Sequence, residues 1–98
     1  VMRVLLSTIA RDELNDARAW LNHQQPGLGK QLNEEVRIAA LRIARVPLLY
    51  PLDVADVRKC HLSRFPYTLR YAMRGDIVLI LAVSHQHREP DYWIDRIR

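Results

Sequence analysis

The stretch that decides the fold is RFPYTLRYAMRGDIVLILAV, residues 64–83. In its first half, apolar side chains recur at every second position, which is the period of a strand with one buried face. These positions are Phe65, Tyr67, Leu69, Tyr71 and Met73. Gly75-Asp76 follows, and glycine adopts the positive φ that a two-residue turn requires. Residues 77–83 are apolar on both faces, so the stretch predicts a β-hairpin of two strands.

Two amphipathic helices are predicted before the hairpin. Ser7 or Thr8 can cap the first helix, which should end near Gln25. In the second helix, apolar residues recur every three or four positions from Leu28 onward, and Pro47 ends the pattern. The segment between the helices is short, so they should form an antiparallel hairpin.

These elements, together with strands predicted at residues 1–7 and 57–62, give the order β-α-α-β-β-β. This order predicts an α+β domain of two layers, in which the helical hairpin packs on an antiparallel sheet formed by the last three strands. The first strand should join an edge of the sheet. The rigid, apolar segment PLLYP, residues 47–51, should fold back against the core. Residues 92–97 should form a short helix or tail.

Length and composition indicate one soluble domain spanning residues 1–98, since 49% of the residues are hydrophobic and 27% are charged. The longest apolar run, residues 77–83, is far shorter than the roughly 20 residues that cross a bilayer. No signal-peptide pattern opens the chain. We therefore expect a cytoplasmic protein without membrane contact. Cys60 is the single cysteine, which excludes an internal disulfide and a thiolate zinc site.

The positive charge lies mostly in the second half of the chain. Residues 1–55 contain seven Arg/Lys and six Asp/Glu, whereas residues 56–98 contain eight and five, so +3 of the net +4 belongs to the second half. Thirteen of the fifteen cations are arginine, whose guanidinium group binds phosphate and carboxylate in bidentate geometry. The asymmetry favours an anionic partner, either a nucleic acid or an acidic protein segment.

Five segments of the chain together carry a resemblance to a known family, in which they occur in the same order. They are ARDELNDARAWL, PGLGKQLNEEV, PLLYP, RFPYTLRY and ILAVSHQHREPDYW. The chain is thus similar to the RelE/ParE family of toxins from type II toxin–antitoxin pairs, and its PDYW ending is more similar to the ParE-like branch. The resemblance implies the fold predicted above, neutralisation by a cognate antitoxin, and growth arrest by the free toxin. ParE-like members poison DNA gyrase, and RelE-like members cut mRNA on the ribosome.

The resemblance favours gyrase poisoning, with basic and aromatic residues of the second half as target contacts. These candidates are Arg58, Arg64, His87, Arg88, Tyr92 and Trp93. Metal-free mRNA cleavage is the alternative, and it needs proton transfer and cations for the phosphorane charge. His85 or His87 could transfer the proton. Arg58, Arg64 and Arg88 could stabilise the phosphate. A third possibility is a non-toxic basic adaptor that only binds its partner protein.

Several of these residues also have structural interpretations. His85 continues the alternation of Ile77, Leu79, Leu81 and Val83, which favours a partly buried histidine over a catalytic one. Tyr92 and Trp93 could pin the tail to the sheet. The His-x-His pair at 85 and 87 has no Cys, Asp or Glu at a recognisable spacing. We therefore expect neither a metal site nor a cofactor.

The expected antitoxin partner is an acidic, amphipathic segment with apolar anchors. It should lie across the helical hairpin, and it could add to an edge of the sheet. Trp20 and Leu21, near the end of the first helix, are the expected contacts on the toxin if their side chains face outward.

Overall fold

The computed structural model describes residues 1–88 and 90–97, so Glu89 and Arg98 of the predicted domain lie outside the described residues. The elements follow the predicted order. They are β1 (Arg3–Leu6), α1 (Thr8–Gln24), α2 (Leu28–Arg45), β2 (Arg58–His61), β3 (Tyr67–Arg74), β4 (Ile77–His85) and a short 3-10 helix (Ile94–Arg96). Within the described ranges, neither α-helix combines the length and the apolarity needed to cross a membrane.

The sheet has four strands in the order β1-β4-β3-β2. The last three strands pair antiparallel, as predicted, and β1 joins the edge next to β4 in parallel orientation. Parallel neighbours need a long crossover connection, which the helices supply here. At the predicted hairpin Arg74 lies opposite Ile77. Gly75 has a φ of +63°, in the left-handed region that favours glycine.

A β-bulge interrupts the alternation of side chains along β4. The register with β3 shifts between Arg70 and Tyr71, which leaves Leu81 as the extra residue on β4. Leu81 and Ala82 consequently belong to one hydrophobic cluster, on the face away from the helices. Val83 then returns to the core on the helix side.

The two faces of the sheet are covered by different parts of the chain. On one face the helices pack against the sheet through residues such as Leu14 and Leu32. On the other face Trp93, which is completely buried, packs with Val57 and Leu81. This second, smaller core explains why residues 77–83 are apolar on both faces. The C-terminal segment, residues 90–97, partly covers the face of the sheet that lies away from the helices.

Asn22 locks the predicted helical hairpin. Its side-chain Oδ1 accepts hydrogen bonds from the backbone N–H groups of Gly27 and Gly29, at 3.2 and 2.9 Å. Asn22 thus caps α2 from the neighbouring helix, because Gly27 has no side chain to do so. The helices approach so closely that a Cβ at Gly29 would lie 2.7 Å from the carbonyl oxygen of Arg18.

The segment PLLYP only partly folds back against the core. Tyr50 packs on the core, and the buried hydroxyl of Tyr71 donates a hydrogen bond to the carbonyl of Pro47 at 2.5 Å. Leu48 and Leu49, however, are 65% and 68% exposed. The prediction is therefore wrong for the two leucines. Inward-facing backbone carbonyls hold the segment, and the side chains of Leu48 and Leu49 point to solvent.

Candidate target-binding surface

Glu13 of α1 connects the helical layer to the end of the sheet and to the C-terminal segment. One carboxylate oxygen accepts a hydrogen bond from the backbone N–H of Val83 at 3.0 Å and lies 2.8 Å from Nη1 of Arg96. The other oxygen accepts from the hydroxyl of Tyr92 and from Nη2 of Arg96, the latter at 3.2 Å. The side chains of Glu13 and Arg96 are only 15% and 17% exposed. We call Glu13, Tyr92 and Arg96 the carboxylate clamp.

The carboxylate clamp fills a gap at the edge of the sheet. Pairing between β1 and β4 stops where Leu6 meets Ile80. Beyond that point, Glu13 accepts a hydrogen bond from the N–H of Val83, and Arg96 donates one to the carbonyl of Leu81 at 3.1 Å. Side chains therefore satisfy backbone groups that would otherwise form an open edge, the kind of feature that promotes unwanted strand pairing.

Tyr92 is a hydrogen-bond donor in this arrangement at physiological pH. Burial, and then its hydrogen bond to Glu13, raise the pKa of the Tyr92 hydroxyl to about 12. A hydroxyl with this pKa stays protonated near neutral pH, and it is poorly matched to proton transfer there. Its position suits holding the C-terminal segment against α1.

An aromatic and basic surface lies beside the clamp. Trp20 of α1 is 58% exposed, and it shares a shallow groove of about 310 Å³ with residues from the ends of β3 and β4. We call this the end surface. It comprises Trp20, Tyr67, His85, Arg88 and Tyr92, and also His87, whose ring centroid is 5.1 Å from that of His85. The carboxylates of Glu13 and Asp16 line the α1 side of the same groove.

The side chains of the end surface position one another. The rings of Tyr67 and His85 meet edge to face with centroids 5.1 Å apart, and the guanidinium of Arg88 lies 4.1 Å from the ring centroid of Tyr92. The backbone N–H of His87 donates to Nδ1 of His85 at 3.1 Å. Because Nδ1 acts as the acceptor, only Nε2 of His85 can carry a proton in this geometry.

The predicted face of His85 is wrong because of the β-bulge. Simple alternation placed His85 with Leu79 and Leu81, on the face that the C-terminal segment covers. The extra residue at Leu81 shifts every later side chain to the opposite face. Val83 and His85 therefore point to the helix side, where His85 meets Tyr67.

The structure does not gather all the predicted target contacts at the end surface. Arg58 donates to the carbonyls of Leu48 and Tyr50, at 3.3 and 2.7 Å. Arg64 donates to Oε1 of Gln31 on α2 at 2.6 Å. Both guanidinium groups thus bind other elements of the fold.

Two of the predicted contact residues do not present their side chains at the surface. Trp93 is completely buried in the second core, so it anchors the C-terminal segment. Leu21 is only 7% exposed and belongs to the helix-side core. Its neighbour Trp20 does face outward. Trp20 and Leu21 were predicted to contact the antitoxin if their side chains face outward. Trp20 meets this condition and Leu21 does not.

Neither Glu13 nor Arg70 is among the site residues predicted from the sequence. Arg70 is in an ion pair with Asp53 at 3.0 Å, donates to Oγ of Ser84 at 2.6 Å, and lies 5.1 Å from the ring centroid of Trp93. The alternation of β3 does place Arg70 opposite the core face. The sequence does not show which residues cover Arg70, because Asp53 and Trp93 come from distant parts of the chain.

The arrangement suits binding better than proton transfer or metal chemistry. Among residues 1–88 and 90–97, no three His, Cys, Asp or Glu side chains come together as a possible metal site. His85 is engaged at Nδ1, and Arg58 and Arg64 bind backbone and side-chain groups elsewhere. An exposed tryptophan beside an arginine is typical of protein interfaces.

Comparisons with known proteins agree with this fold. The family model for the ParE toxin of the type II toxin–antitoxin system parDE matches residues 4–90. The chain is similar to a solved structure described as "Chromosomal ParDE TA system from P. aeruginosa", with a TM-score of 0.76 and 17% sequence identity. The match covers 86% of this chain and 95% of that chain. A search of curated protein sequences found no match.

Proposed function

The chain belongs to the family of ParE toxins of type II toxin–antitoxin systems, and from that premise we propose that it arrests growth by binding DNA gyrase through the end surface. In this proposal the protein acts in the cytoplasm and a cognate antitoxin neutralises it. The observation that carries the proposal is the exposure of Trp20 beside the basic residues that follow β4.

Trp20 has the properties of a binding anchor. Tryptophan and arginine are the residues most enriched among those that dominate binding energy. Trp20 and Arg88 line the same groove, and the Arg88 guanidinium lies over the ring of Tyr92. The clamp fixes Tyr92 through Glu13. A rigid aromatic and cationic surface of this kind loses little conformational entropy when it binds.

The positive charge gives a reason for preferring gyrase that holds DNA. The second half of the chain carries +3 of the net charge. A complex of gyrase with cleaved DNA presents phosphates close to protein surface, and a basic ligand would bind it more tightly than DNA-free gyrase. Preference for the cleaved complex would trap it, which is the action of a poison.

The nuclease alternative has less support. Two of its three proposed phosphate ligands, Arg58 and Arg64, are engaged by the segment PLLYP and by α2, whereas Arg88 is exposed. His85 accepts a backbone hydrogen bond at Nδ1, and the pKa of Tyr92 lies near 12. His87 is exposed and remains the best candidate for proton transfer. The adaptor alternative differs from the toxin only in leaving growth unaffected.

The test measures supercoiling and DNA cleavage by purified gyrase in the presence of the purified chain. We expect inhibition of supercoiling and accumulation of gyrase-linked DNA breaks. Trp20→Ala and Arg88→Ala should each raise the concentration needed by about tenfold or more, because each removes a central contact. Ile9→Ala is the matched control, since Ile9 is another exposed apolar residue of α1, and it should leave potency within about twofold.

A second experiment, in cells, follows growth and mRNA 5′ ends after expression of the chain is induced. Growth arrest with new mRNA 5′ ends and no gyrase effect would replace the proposal with the nuclease. Unaffected growth at verified expression would leave the adaptor. Equal potency of Trp20→Ala and Ile9→Ala against gyrase would exclude the end surface as the contact.

A further inference from the structure

The groove of the end surface carries opposite charges on its two sides. Glu13 and Asp16 line it on the α1 side, and Arg88 lines it on the side of the residues that follow β4. Trp20, which is 58% exposed, lies in the same groove. The groove therefore combines an aromatic surface with charges of both signs, and this combination restricts the kind of partner that fits it.

Of the two acids that line the groove, only Asp16 is available to a partner. Glu13 is ion-paired with Arg96 at 2.8 Å, and both of these side chains are largely buried. Asp16 is exposed. In the part of the chain that the structure describes, its carboxylate takes part in no ion pair and no hydrogen bond. One carboxylate of the groove is thus unpaired.

The helix itself gives no reason for an acid at position 16. Asp12 and Glu13 precede Asp16 by four and three positions, and Ala19 and Trp20 follow it by three and four. Side chains at these spacings are neighbours on a helix surface, and like charges there destabilise the helix. Asp16 therefore has two acids and no cation among these neighbours, so the stability of α1 does not account for it.

Arg88 is the unpaired cation of the same groove. Its side chain is exposed, and it forms no ion pair with a carboxylate of the described residues. Its guanidinium lies 4.1 Å from the ring centroid of Tyr92, and the hydroxyl of that ring donates a hydrogen bond to Glu13. The ring thus holds Arg88 in a position where it does not pair with Asp16. A surface with two separate, opposite charges is complementary to a partner that brings both signs.

We propose that the groove binds a protein segment that presents an apolar side chain between a basic and an acidic one, and that Asp16 excludes nucleic acid from the groove. Asp16 would pair with a lysine or arginine of the partner, and Arg88 with a carboxylate. The apolar side chain would pack on Trp20. This inference rests on the proposed function, because it assigns the groove to the protein of gyrase and not to the DNA that gyrase holds.

A nucleic acid fits the groove less well. A base could stack on Trp20, but every nucleotide also carries a negative phosphate. Phosphates bound to Arg88 would lie in one groove with Asp16, and like charges at an interface oppose binding. The net charge of the second half still attracts the chain to DNA held by gyrase. That attraction acts over a Debye length of about 10 Å and needs no contact inside the groove.

The test uses the sign of the effect of Asp16→Asn, which removes one negative charge from the groove. A protein partner would lose a charge pair, so the concentration that half-inhibits supercoiling by purified gyrase should rise about fivefold. A nucleic acid would lose a repulsion, so the variant would become more potent. Asp12→Asn is the matched control, because it removes the same charge from an exposed position of α1 outside the groove. It should leave potency within about twofold.

Binding to a short DNA duplex, followed by fluorescence anisotropy, separates the two classes of partner. Asp16→Asn and Asp12→Asn should bind the duplex equally. Asp16→Lys should lower potency against gyrase about tenfold or more, because it turns an attraction into a repulsion, and it should bind the duplex no more tightly than Asp12→Lys does. Circular dichroism checks that each variant is folded. Unchanged or higher potency of Asp16→Asn would overturn the proposal, and so would tighter duplex binding than that of Asp12→Asn.

Growth arrest in cells gives a readout that does not depend on gyrase. If the unmodified chain arrests growth but leaves purified gyrase unaffected, the target assignment fails. Weaker arrest by Asp16→Asn at equal expression would still support a protein segment in the groove, whereas stronger arrest would overturn it. A chain that neither affects gyrase nor arrests growth would overturn both proposals.

Two other occupants of the groove are outcomes of the same variants. Asp16→Asn could lower the affinity for the antitoxin without changing growth arrest, which would assign the groove to the antitoxin. A dimeric free chain that Asp16→Asn converts to a monomer would assign it to a second copy, since a two-fold contact places Asp16 of each chain near Arg88 of the other. Either result would overturn the proposal.

Discussion

The C-terminal segment, residues 90–97, and the segment 46–52 are both held to the fold by hydrogen bonds. The first segment makes these bonds with its side chains, whereas the second makes them with its backbone and leaves leucine side chains exposed. In the C-terminal segment, side chains make the bonds: Tyr92 and Arg96 bind Glu13. Trp93 of this segment is buried in the second core. In the other segment, backbone carbonyls make the bonds, and Leu48 and Leu49 stay in solvent.

The difference shows which segment stabilises the fold and which leaves side chains free for binding. Burying Trp93 removes a large apolar area from water, so the C-terminal segment contributes to folding. Leu49 is 68% exposed, so its burial contributes little to folding, and its side chain is accessible to a partner. Substitutions in the two segments should therefore act on different measurements.

The largest effect is expected from Trp93→Ala. It should lower the free energy of unfolding by roughly 3–5 kcal/mol, because it empties the second core. Trp93→Phe should cost less than about 1.5 kcal/mol, since the indole N–H makes no hydrogen bond within the described residues. Urea denaturation followed by circular dichroism measures both. Similar losses in the two variants would show that the indole nitrogen matters more than the buried ring.

Glu13→Gln should cost roughly 2 kcal/mol of unfolding free energy, because the amide cannot accept all four hydrogen bonds and leaves Arg96 poorly compensated. Asp12→Asn is the control, as Asp12 is an exposed neighbour on the same helix. Hydrogen exchange should also show faster exchange at Val83, whose N–H binds Glu13. Unchanged exchange at Val83 would mean that the clamp does not protect the edge of β4.

A pH titration tests Tyr92 within the clamp. Its pKa is raised from the ordinary 10.0 to about 12, so the unfolded chain loses this proton first. The stability contribution is then complete below about pH 10 and is lost as the pH rises toward about 12. Tyr92→Phe should flatten this decline without removing it, because the pKa of Tyr71 is also raised to about 12. Denaturation midpoints between these pH values measure the change, and an unaltered decline would contradict it.

The smallest effect on stability is expected from Leu49→Ser. It should change the free energy of unfolding by less than about 0.5 kcal/mol, because the leucine side chain is mostly exposed. Leu21→Ala is the contrasting variant: its side chain is buried, and its loss should cost roughly 2–5 kcal/mol. Thermal denaturation of the two variants measures both losses of stability. A large loss in Leu49→Ser would mean that the leucine packs in solution and is not a free surface.

Much of the fold could be predicted because its signals are local. Glycine at position 75, the alternation of β3 and the spacing of apolar residues in α2 each act within a few residues of the chain. His85 shows the limit of prediction from local signals. Its face depends on one extra residue at Leu81, and nothing local distinguishes a bulged apolar strand from a regular one.

The candidate site was less predictable because its contacts join distant positions. Glu13 lies 79 residues from Tyr92 and 83 from Arg96, and its local sequence indicates only an early turn of a helix. Arg58 and Arg64 were grouped with the histidines on charge alone. Charge does not reveal that neighbouring carbonyls and Gln31 already bind these arginines.

By itself the sequence determined the element order, the helical hairpin, the antiparallel strands and the ParE-like family, because periodicity, turn residues and segment order are properties of the chain. Only the tertiary structure decided which polar groups are already bound and which apolar groups remain exposed. Trp20 and Leu21 are adjacent in sequence, yet one faces solvent and the other the core. Burial is a property of what packs against a residue, and those neighbours come together only when the chain folds.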